Sequence, residues 1–163
     1  SGNLSVVQFR QSDLRLDIQR ALKEANLAAS RLELEVAESI LLDESAGALK
    51  TLNELKELGV RLTMDHFGTG YSSLNYLRSY PFDGLKIDRS FIGNVPSSAN
   101  DRSIIRAIVG LAQALELTVT AEGVETYEQL EWLDEADCAV VQGFHMCQPQ
   151  PAEEMKRLVQ KMG

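Results

Sequence analysis

The 163-residue sequence has little positive charge and no long apolar run, and each shortage excludes a class of protein. Lys and Arg number 16 against 24 Asp and Glu, which gives a net charge of -8. No basic stripe of the kind that binds DNA or RNA is present. The longest apolar runs are far shorter than the roughly 20 residues that span a bilayer. We therefore expect a soluble segment with no nucleic-acid partner and no membrane contact of its own.

Cysteine pairs and familiar catalytic motifs are also missing. Cys138 and Cys147 form no close metal-binding pair, and a reducing cytoplasm is the expected location, which is compatible with a membrane-anchored parent protein. The glycines of Gly68-Thr-Gly70 lack the spacing and the Lys-Ser/Thr ending of a phosphate loop. The two histidines, His66 and His145, have no nucleophilic serine signature nearby. A nucleotide ligand is still possible, because bound metal ions can offset its phosphates.

Short apolar strands alternate with helical patterns, which predicts βα units and a parallel sheet. The predicted strands are 3–9, 32–36, 60–65, 84–88, 118–122 and 138–142. Helices are predicted over 13–25, 44–58, 73–79, 127–134 and 152–162, with another helix after a loop at 94–100. The inward residues are predicted to be Leu14, Ile18, Leu22, Leu49, Leu52, Leu55, Ile104, Ile108, Leu111, Ala112 and Leu115.

These strands carry a polar residue at every second position, unlike sheets that are covered by helices on both faces. Their last polar residues are Glu35, Asp65, Asp88, Glu122 and Gln142. In a TIM-type (β/α) barrel the inward face is a separate environment, and the site lies at the carboxyl ends of the strands. We therefore predict an α/β fold that forms a partial TIM-type barrel of about six βα units.

Carboxylates that converge on such a mouth repel one another and need a cation, for which Mg²⁺ is suited by its preference for oxygen ligands. Lys86 adds a positive charge on the same strand face as Asp88. Any one of these acids could instead be a helix N-cap or a solvated loop residue. Four acids in register on successive strands, together with a lysine, favour a metal-binding site. Glu33 and Arg61 are interpreted as a structural pair, and His66 as either a ligand or a packed or solvated residue.

The motif series resembles the EAL domain family of bacterial cyclic di-GMP phosphodiesterases, which adopt a TIM-type barrel. The resemblance runs in order from residue 3 to about residue 151. It rests on Asn3-Leu-Ser, Glu35-Val-Ala-Glu38-Ser, Asp65-His-Phe-Gly-Thr-Gly-Tyr-Ser-Ser, Lys86-Ile-Asp88, Ala121-Glu-Gly-Val-Glu125 and Gln142-Gly.

The resemblance implies a role for each matched position. Asn3, Glu35, Asp65 and Glu122 would ligate divalent metal, Mg²⁺ or Mn²⁺, with Asp88 and the residue at position 66 at the second ion. Lys86 would polarise the attacking water, and Glu38 would brace the loop after Asp65. Gln142 would line the substrate site, and two metal ions would support hydrolysis of cyclic di-GMP to pGpG.

Two departures from the family pattern shape the expected function. The name-giving Glu-Ala-Leu motif is absent, and a complete barrel takes about 250 residues, so residues 1–163 are expected to be a single domain fragment without the first two βα units. Two open sheet edges, or the loop after Asp65, would then favour self-association as a dimer. His66 replaces the usual second aspartate and would favour softer ions such as Mn²⁺ or Zn²⁺.

Both departures predict weak or lost catalysis in this chain. The alternative function is therefore a degenerate, non-catalytic module that binds cyclic di-GMP or a protein partner in bacterial signalling.

Overall fold

A computed structural model describes residues 1–10, 13–41, 47–69 and 74–162. Six strands form one parallel sheet in which every strand lies beside its neighbours in sequence. The strands are β1 (Gly2–Leu4), β2 (Glu33–Ala37), β3 (Arg61–Phe67), β4 (Gly84–Ile87), β5 (Thr118–Glu122) and β6 (Val140–Gln142).

The sequential strand order decides between the two common parallel architectures. A doubly wound sheet reverses its strand order at a switch point, whereas a barrel adds each strand beside the last one. The order observed is β1 to β6 without a reversal, as the barrel-type prediction required. Within the described residues the sheet stays open, because β1 and β6 do not pair with each other.

Helices connect the strands and cover one face of the sheet. They are α1 (Val6–Phe9), α2 (Leu14–Glu24), α3 (Glu38–Leu41), α4 (Ala48–Glu57), α5 (Leu74–Ser79), α6 (Arg89–Ile92), α7 (Ala99–Ala114), α8 (Tyr127–Glu135) and α9 (Ala152–Met162), with a 3₁₀ turn at Ala29–Arg31. Residues 44–46 and 73 of the predicted helices lie outside the described residues. No helix in the described ranges combines the length and apolarity needed to cross a membrane.

The predicted strand over 3–9 is wrong beyond Leu4, because a helix begins there. The Ser5 hydroxyl accepts a hydrogen bond from the backbone N–H of Gln8, and the Gln8 side chain accepts one from the backbone N–H of Ser5. This reciprocal capping box satisfies N–H groups that would otherwise be unpaired at a helix start. Its Ser-x-x-Gln signature was present in the sequence and competes there with the apolar run Val6-Val7.

In two helices the buried face is shifted from the predicted one, although Leu52, Leu55, Ile108 and Ala112 are buried as predicted. In α4 the buried residues are Ala48, Leu52 and Leu55, while Leu49 is 41% exposed. Adjacent residues on a helix point about 100° apart, so choosing Leu49 over Ala48 rotates the predicted face. The small alanine side chain suits a helix that lies close to the sheet.

The same kind of rotation occurs in α7. Its buried residues are Ile105, Ile108, Val109 and Ala112, whereas the predicted Ile104, Leu111 and Leu115 are only half-buried. An apolar residue on either side of the true stripe made the register of the inward face ambiguous.

One face of the sheet is apolar and the other is polar, as the alternation predicted. Leu34, Val36, Leu62, Met64 and Leu85 are almost fully buried on the helix-covered side. The opposite face lines a cavity of about 480 Å³ with charged and hydroxyl side chains from β2 to β6. The core therefore lies between the sheet and the helices, and the inner face is left for polar chemistry.

The segments after β5 and β6 are joined backbone to backbone. The N–H of Val124 donates to the carbonyl of Gln142 at 3.1 Å, and the N–H of His145 donates to the carbonyl of Val124 at 3.0 Å. A Cβ atom at Gly143 would overlap the backbone nitrogen and oxygen of Val124. Only glycine allows this approach without moving one of the two segments.

We expect Gly143→Ala to lower the free energy of unfolding by about 3 kcal/mol, the upper end of the usual overpacking cost. Gly110→Ala is the matched control, because Gly110 lies inside α7 with open space around its Cα. That control should raise stability by up to ~1 kcal/mol, the difference in helix propensity. Urea denaturation of both variants checks the prediction, and an unchanged midpoint for Gly143→Ala would contradict it.

Candidate metal centre at the strand ends

A buried lysine holds two carboxylates together on the polar face of the sheet. The Lys86 Nζ atom lies 2.9 Å from Glu35 Oε2 and 2.6 Å from Glu122 Oε1. The two carboxylate oxygens are therefore no more than 2.9 + 2.6 = 5.5 Å apart. Flat neighbouring strands lie ~4.8 Å apart, so β2 and β5 would be separated by about 14 Å. Lys86 on β4 lies between them in the sheet, so the lysine joins carboxylates from strands three positions apart.

The ion pairs favour the charged forms of Glu35 and Lys86. Burial raises the pKa of Glu35, but the hydrogen bond and charge of Lys86, with a contribution from Ser1, lower it by more. For Lys86, burial lowers the pKa, and the hydrogen bonds and charges of Glu122 and Glu35 raise it by more, to above its ordinary 10.5. The lysine is thus a fixed cation at neutral pH.

An irregularity in β3 brings Asp65 and His66 to the same site. Met64 pairs with Leu85 and Phe67 with Ile87, so β3 has one residue more than β4 over this interval. His66 adopts a left-handed conformation with φ of 58°. In a regular strand two consecutive side chains point to opposite faces, and the bulge removes that constraint.

One carboxylate holds the imidazole of His66 in place. The Asp65 Oδ2 atom lies 3.0 Å from His66 Nδ1, and Asp65 Oδ1 accepts the backbone N–H of His66 at 2.9 Å. Asp65 is buried, whereas the His66 side chain is 55% exposed. The pair therefore presents a fixed imidazole at the open side of the site.

Asp65, His66 and Glu122 each offer one donor atom, and these atoms all lie within 4.8 Å of one another. Two carboxylates and one imidazole are donors that divalent metal ions accept in proteins. The residues present therefore fit a divalent ion at this position.

Asp88 borders the same space and also caps a helix. Its Oδ1 atom accepts the backbone N–H of Ser90 at 2.9 Å at the start of α6. Burial raises the pKa of Asp88, but the hydrogen bonds from Ser90 and the charges of His66 and Arg89 lower it by more. Asp88, His66, Glu122 and Gln142 line a cavity of about 630 Å³. Asp88 therefore both caps α6 and borders the candidate site.

Asn3 and Gln142 lie beside the acidic residues in the register of the sheet. Asn3 on β1 is opposite Glu35, and Gln142 on β6 is opposite Glu122. Both are exposed, since they belong to the two outer strands. Gln142 is the last residue of β6, as predicted, whereas Asn3 is the middle residue of β1.

Glu38 is separate from this group of side chains. It is 4% exposed at the start of α3, and neither carboxylate oxygen has a hydrogen-bond partner among the described residues. Residues 70–73 of the loop that it was expected to brace lie outside the described part of the chain. The bracing role stays a prediction.

The predicted structural pair of Glu33 and Arg61 is confirmed. Arg61 Nη2 lies 3.3 Å from Glu33 Oε2, and the Thr63 hydroxyl donates to Glu33 Oε1 at 3.0 Å. Glu33 lies two residues before Glu35 on the same face of β2. No described contact joins this pair to Lys86, Glu35 and Glu122.

Sequence reasoning missed two glycines that shape the site. Gly123 has φ of 74°, and a Cβ there would lie 2.6 Å from the Cβ of Arg89. Gly143 follows Gln142 in the same way and contacts Val124. The repeated signal, a glycine directly after the last polar residue of a strand, was visible in Glu122-Gly123 and Gln142-Gly143.

Comparison with known proteins matches residues 1–149 to the EAL domain. The cyclic di-GMP phosphodiesterase NbdA of Pseudomonas aeruginosa is 48% identical over 143 residues, which cover 88% of this chain and 18% of NbdA. The chain spans about a fifth of the length of the curated relatives that it matches.

Solved structures agree with the fold. The PaMucR phosphodiesterase in complex with c-di-GMP has a TM-score of 0.89 and 42% identity, covering 94% of this chain and 62% of that one. BlrP1 of Klebsiella pneumoniae, in a manganese and cyclic di-GMP complex, has a TM-score of 0.82 and 30% identity, covering 88% and 37%. A parallel α/β sheet of this kind is thus shared with TIM-barrel-like EAL structures.

Replacing the central lysine should destabilise the chain in a pH-dependent way. Lys86→Met leaves Glu35 buried without its cation, and breaking one partner of a buried pair costs about 3 kcal/mol or more. Glu35 then protonates more easily, so the loss should be largest at pH 7 and should shrink as pH falls through 4.5, the ordinary pKa of its carboxyl. The raised pKa of Lys86 means that its contribution in the unaltered chain is lost only above pH 10.5.

Lys56→Met is the matched control, because Lys56 forms a more exposed pair with Asp83 at 2.6 Å. We expect that variant to lose only ~1 kcal/mol. Urea denaturation at pH 7 and pH 4 measures both effects. Equal losses for the two lysines, or a Lys86→Met loss that does not depend on pH, would contradict the assignment.

Proposed function

The chain belongs to the EAL domain family, and on that premise we propose that it forms the metal-binding part of a cyclic di-GMP phosphodiesterase domain. One observation carries the proposal: Lys86 joins Glu35 and Glu122 at strand ends where Asp65 and His66 also lie. Acidic side chains held this close require cations, and the substrate's two phosphates require them as well. The cyclic di-GMP phosphodiesterase NbdA and the PaMucR phosphodiesterase, solved in complex with c-di-GMP, support the proposal.

The side chains divide into metal ligands and groups that act on substrate. We propose Asn3, Glu35, Asp65, Asp88 and Glu122 as ligands for Mg²⁺ or Mn²⁺, with His66 in the place of a further aspartate. A bound pair of divalent ions would supply an activated water and stabilise charge on the leaving oxygen. Gln142 lines the cavity where the nucleotide would lie.

Lys86 is placed to act on the attacking water. Its Nζ has three N–H donors, of which Glu35 and Glu122 engage two, and the third can hold a water molecule. The fixed positive charge favours the hydroxide form of that water. Attack on one phosphorus breaks one P–O ester bond, and the released 3′ oxygen takes up a proton to give linear pGpG.

A second candidate function is binding of cyclic di-GMP without hydrolysis. His66 favours it, since a neutral imidazole replaces a negatively charged ligand and suits Mg²⁺ poorly. Calorimetry with cyclic di-GMP in EDTA separates the candidates: micromolar binding without metal supports the receptor, and binding that requires metal supports the phosphodiesterase.

We also propose a single cytoplasmic domain that associates with itself through its open sheet edges. One continuous sheet and one apolar core support the single domain. Among the described strands, β1 and β6 each pair on one side only. Unpaired backbone groups at a sheet edge can pair with another chain.

Glutamate substitutions on one strand face test the metal-dependent function. Glu35→Gln removes a proposed ligand, whereas Glu33→Gln changes the same residue type two positions earlier in β2, outside the cluster. We expect Glu35→Gln to lower Mn²⁺-dependent pGpG formation at least ~100-fold, a typical loss for a group that acts on the transition state. Glu33→Gln should stay within about threefold of the unaltered chain.

Chromatographic separation of pGpG from cyclic di-GMP measures this rate in Mg²⁺ and then in Mn²⁺. Turnover by the chain is expected to be slow in both ions. Equal activity of the two variants would contradict the assignment of Glu35 as a ligand. Binding of cyclic di-GMP without metal and without turnover would support the non-catalytic receptor instead.

Self-association has its own test at the edge of β6. Light scattering should give a mass above 18.0 kDa that rises with concentration. Val140 is 44% exposed on this edge strand, and Val140→Lys should weaken the association, because edge lysines block strand pairing. Val7→Lys, at a 71% exposed position on α1, is the control that should leave it unchanged. A monomer at every concentration would contradict the proposal.

A further inference from the structure

The His66 cluster consists of Asp65, His66 and Glu122, whose donor atoms all lie within 4.8 Å of one another. We propose that this cluster selects a borderline transition ion, typified by Zn²⁺, over the hard ion Mg²⁺. The inference rests on the metal-dependent function and adds the identity of the ion that this particular chain prefers.

The chemistry of the donors favours this choice. Mg²⁺ prefers octahedral oxygen ligands and gives up its waters reluctantly. Imidazole suits Zn²⁺, Cu²⁺ and Ni²⁺, and affinity for mixed nitrogen and oxygen sites rises along the first transition row. Three protein ligands that include a histidine, with one further position open, are the composition of catalytic zinc sites. Asp65, His66 and Glu122 supply three ligands of which one is a histidine, and zinc also accepts Asp and Glu oxygens.

The structure also orients the imidazole for a metal. His66 Nδ1 lies 3.0 Å from Asp65 Oδ2, so its N–H can donate to that carboxylate and leave Nε2 with the free lone pair. Histidines that bind metal usually donate their other ring N–H to a carboxylate or carbonyl. The bond from the backbone N–H of His66 to Asp65 Oδ1 holds the residue at the same carboxylate.

A simple ion pair does not account for this arrangement as well. The His66 side chain is 55% exposed, and exposed ion pairs contribute little to stability. The residue nevertheless occupies a left-handed conformation within a bulge, which is uncommon outside glycine although histidine adopts it more readily than most residues. Such features occur beside functional sites, where a bulge re-aims a side chain.

Calorimetric titration of the chain with ZnCl₂ and, separately, with MgCl₂ tests the inference without nucleotide present. The unaltered chain should bind Zn²⁺ at least ~100-fold more tightly than Mg²⁺. His66→Asp should weaken Zn²⁺ binding at least ~10-fold, the effect typical of altering a metal's ligand environment. Its Mg²⁺ affinity should be equal or higher, since a carboxylate replaces the imidazole. Asp and Asn both tolerate the left-handed conformation, so His66→Asn serves if His66→Asp does not fold.

His145→Asp is the matched control, because His145 is the only other histidine and lies outside the cluster. It should leave the Zn²⁺ affinity within about twofold, as expected for a surface change outside the ligand set. In the unaltered chain, Zn²⁺ should also shift the side-chain ¹⁵N resonances of His66 and not those of His145, a readout that needs no variant.

The outcomes separate this inference from the proposed function. The proposed selectivity would be overturned if His66→Asp left the ratio of Zn²⁺ to Mg²⁺ affinity unchanged. It would also be overturned if Zn²⁺ shifted the ¹⁵N resonances of His145 instead of those of His66. Loss of cyclic di-GMP binding and cleavage in the nucleotide assays, with zinc selectivity intact, would overturn only the phosphodiesterase proposal.

Discussion

The contact of Lys86 with Glu35 and Glu122 is the interaction on which the site depends. Two carboxylates within 5.5 Å of each other would repel strongly in a buried environment without the ammonium group between them. The three side chains come from β2, β4 and β5, and pairing of the strands in one sheet brings them together. One charged contact therefore links the shape of the fold to the chemistry at its mouth. It also supplies part of the positive charge that an acidic site needs before any metal binds.

The bulge in β3 adds a second constraint of a different kind. Without the extra residue, the alternation of the strand would direct Asp65 and His66 to opposite faces. With it, both side chains meet Glu122, and the site gains a nitrogen donor beside its oxygens. The family pattern has a second aspartate at the position of His66, so the difference in ligands changes which metal ion the site prefers. The imidazole that suits Mg²⁺ poorly is a good ligand for a softer ion.

Prediction from sequence succeeded where one period dominated and failed where two signals competed. The alternation in β2 and β5 placed Glu35 and Glu122 on the polar face, as observed. The capping box at Ser5 competed with an apolar run, and the strand prediction there was wrong. Leu49 is predicted to be inward, yet Ala48 is the buried residue and Leu49 is 41% exposed. Local sequence patterns predict whether an element is a helix or a strand. They do not predict how closely that element packs against its neighbours.

The sequence by itself determined the number and order of strands, the acidic residues at their ends and the family to which the motifs point. These properties follow from local periodicity and from residue identity, which require no knowledge of distant contacts. Only the tertiary structure decided that Lys86 reaches both Glu35, which lies 51 positions earlier in the chain, and Glu122, which lies 36 positions later. It also decided that His66 lies against Asp65 and that Gly143 contacts Val124. Those facts depend on strand pairing in the sheet and on a bulge, which arise from the packing of the whole chain.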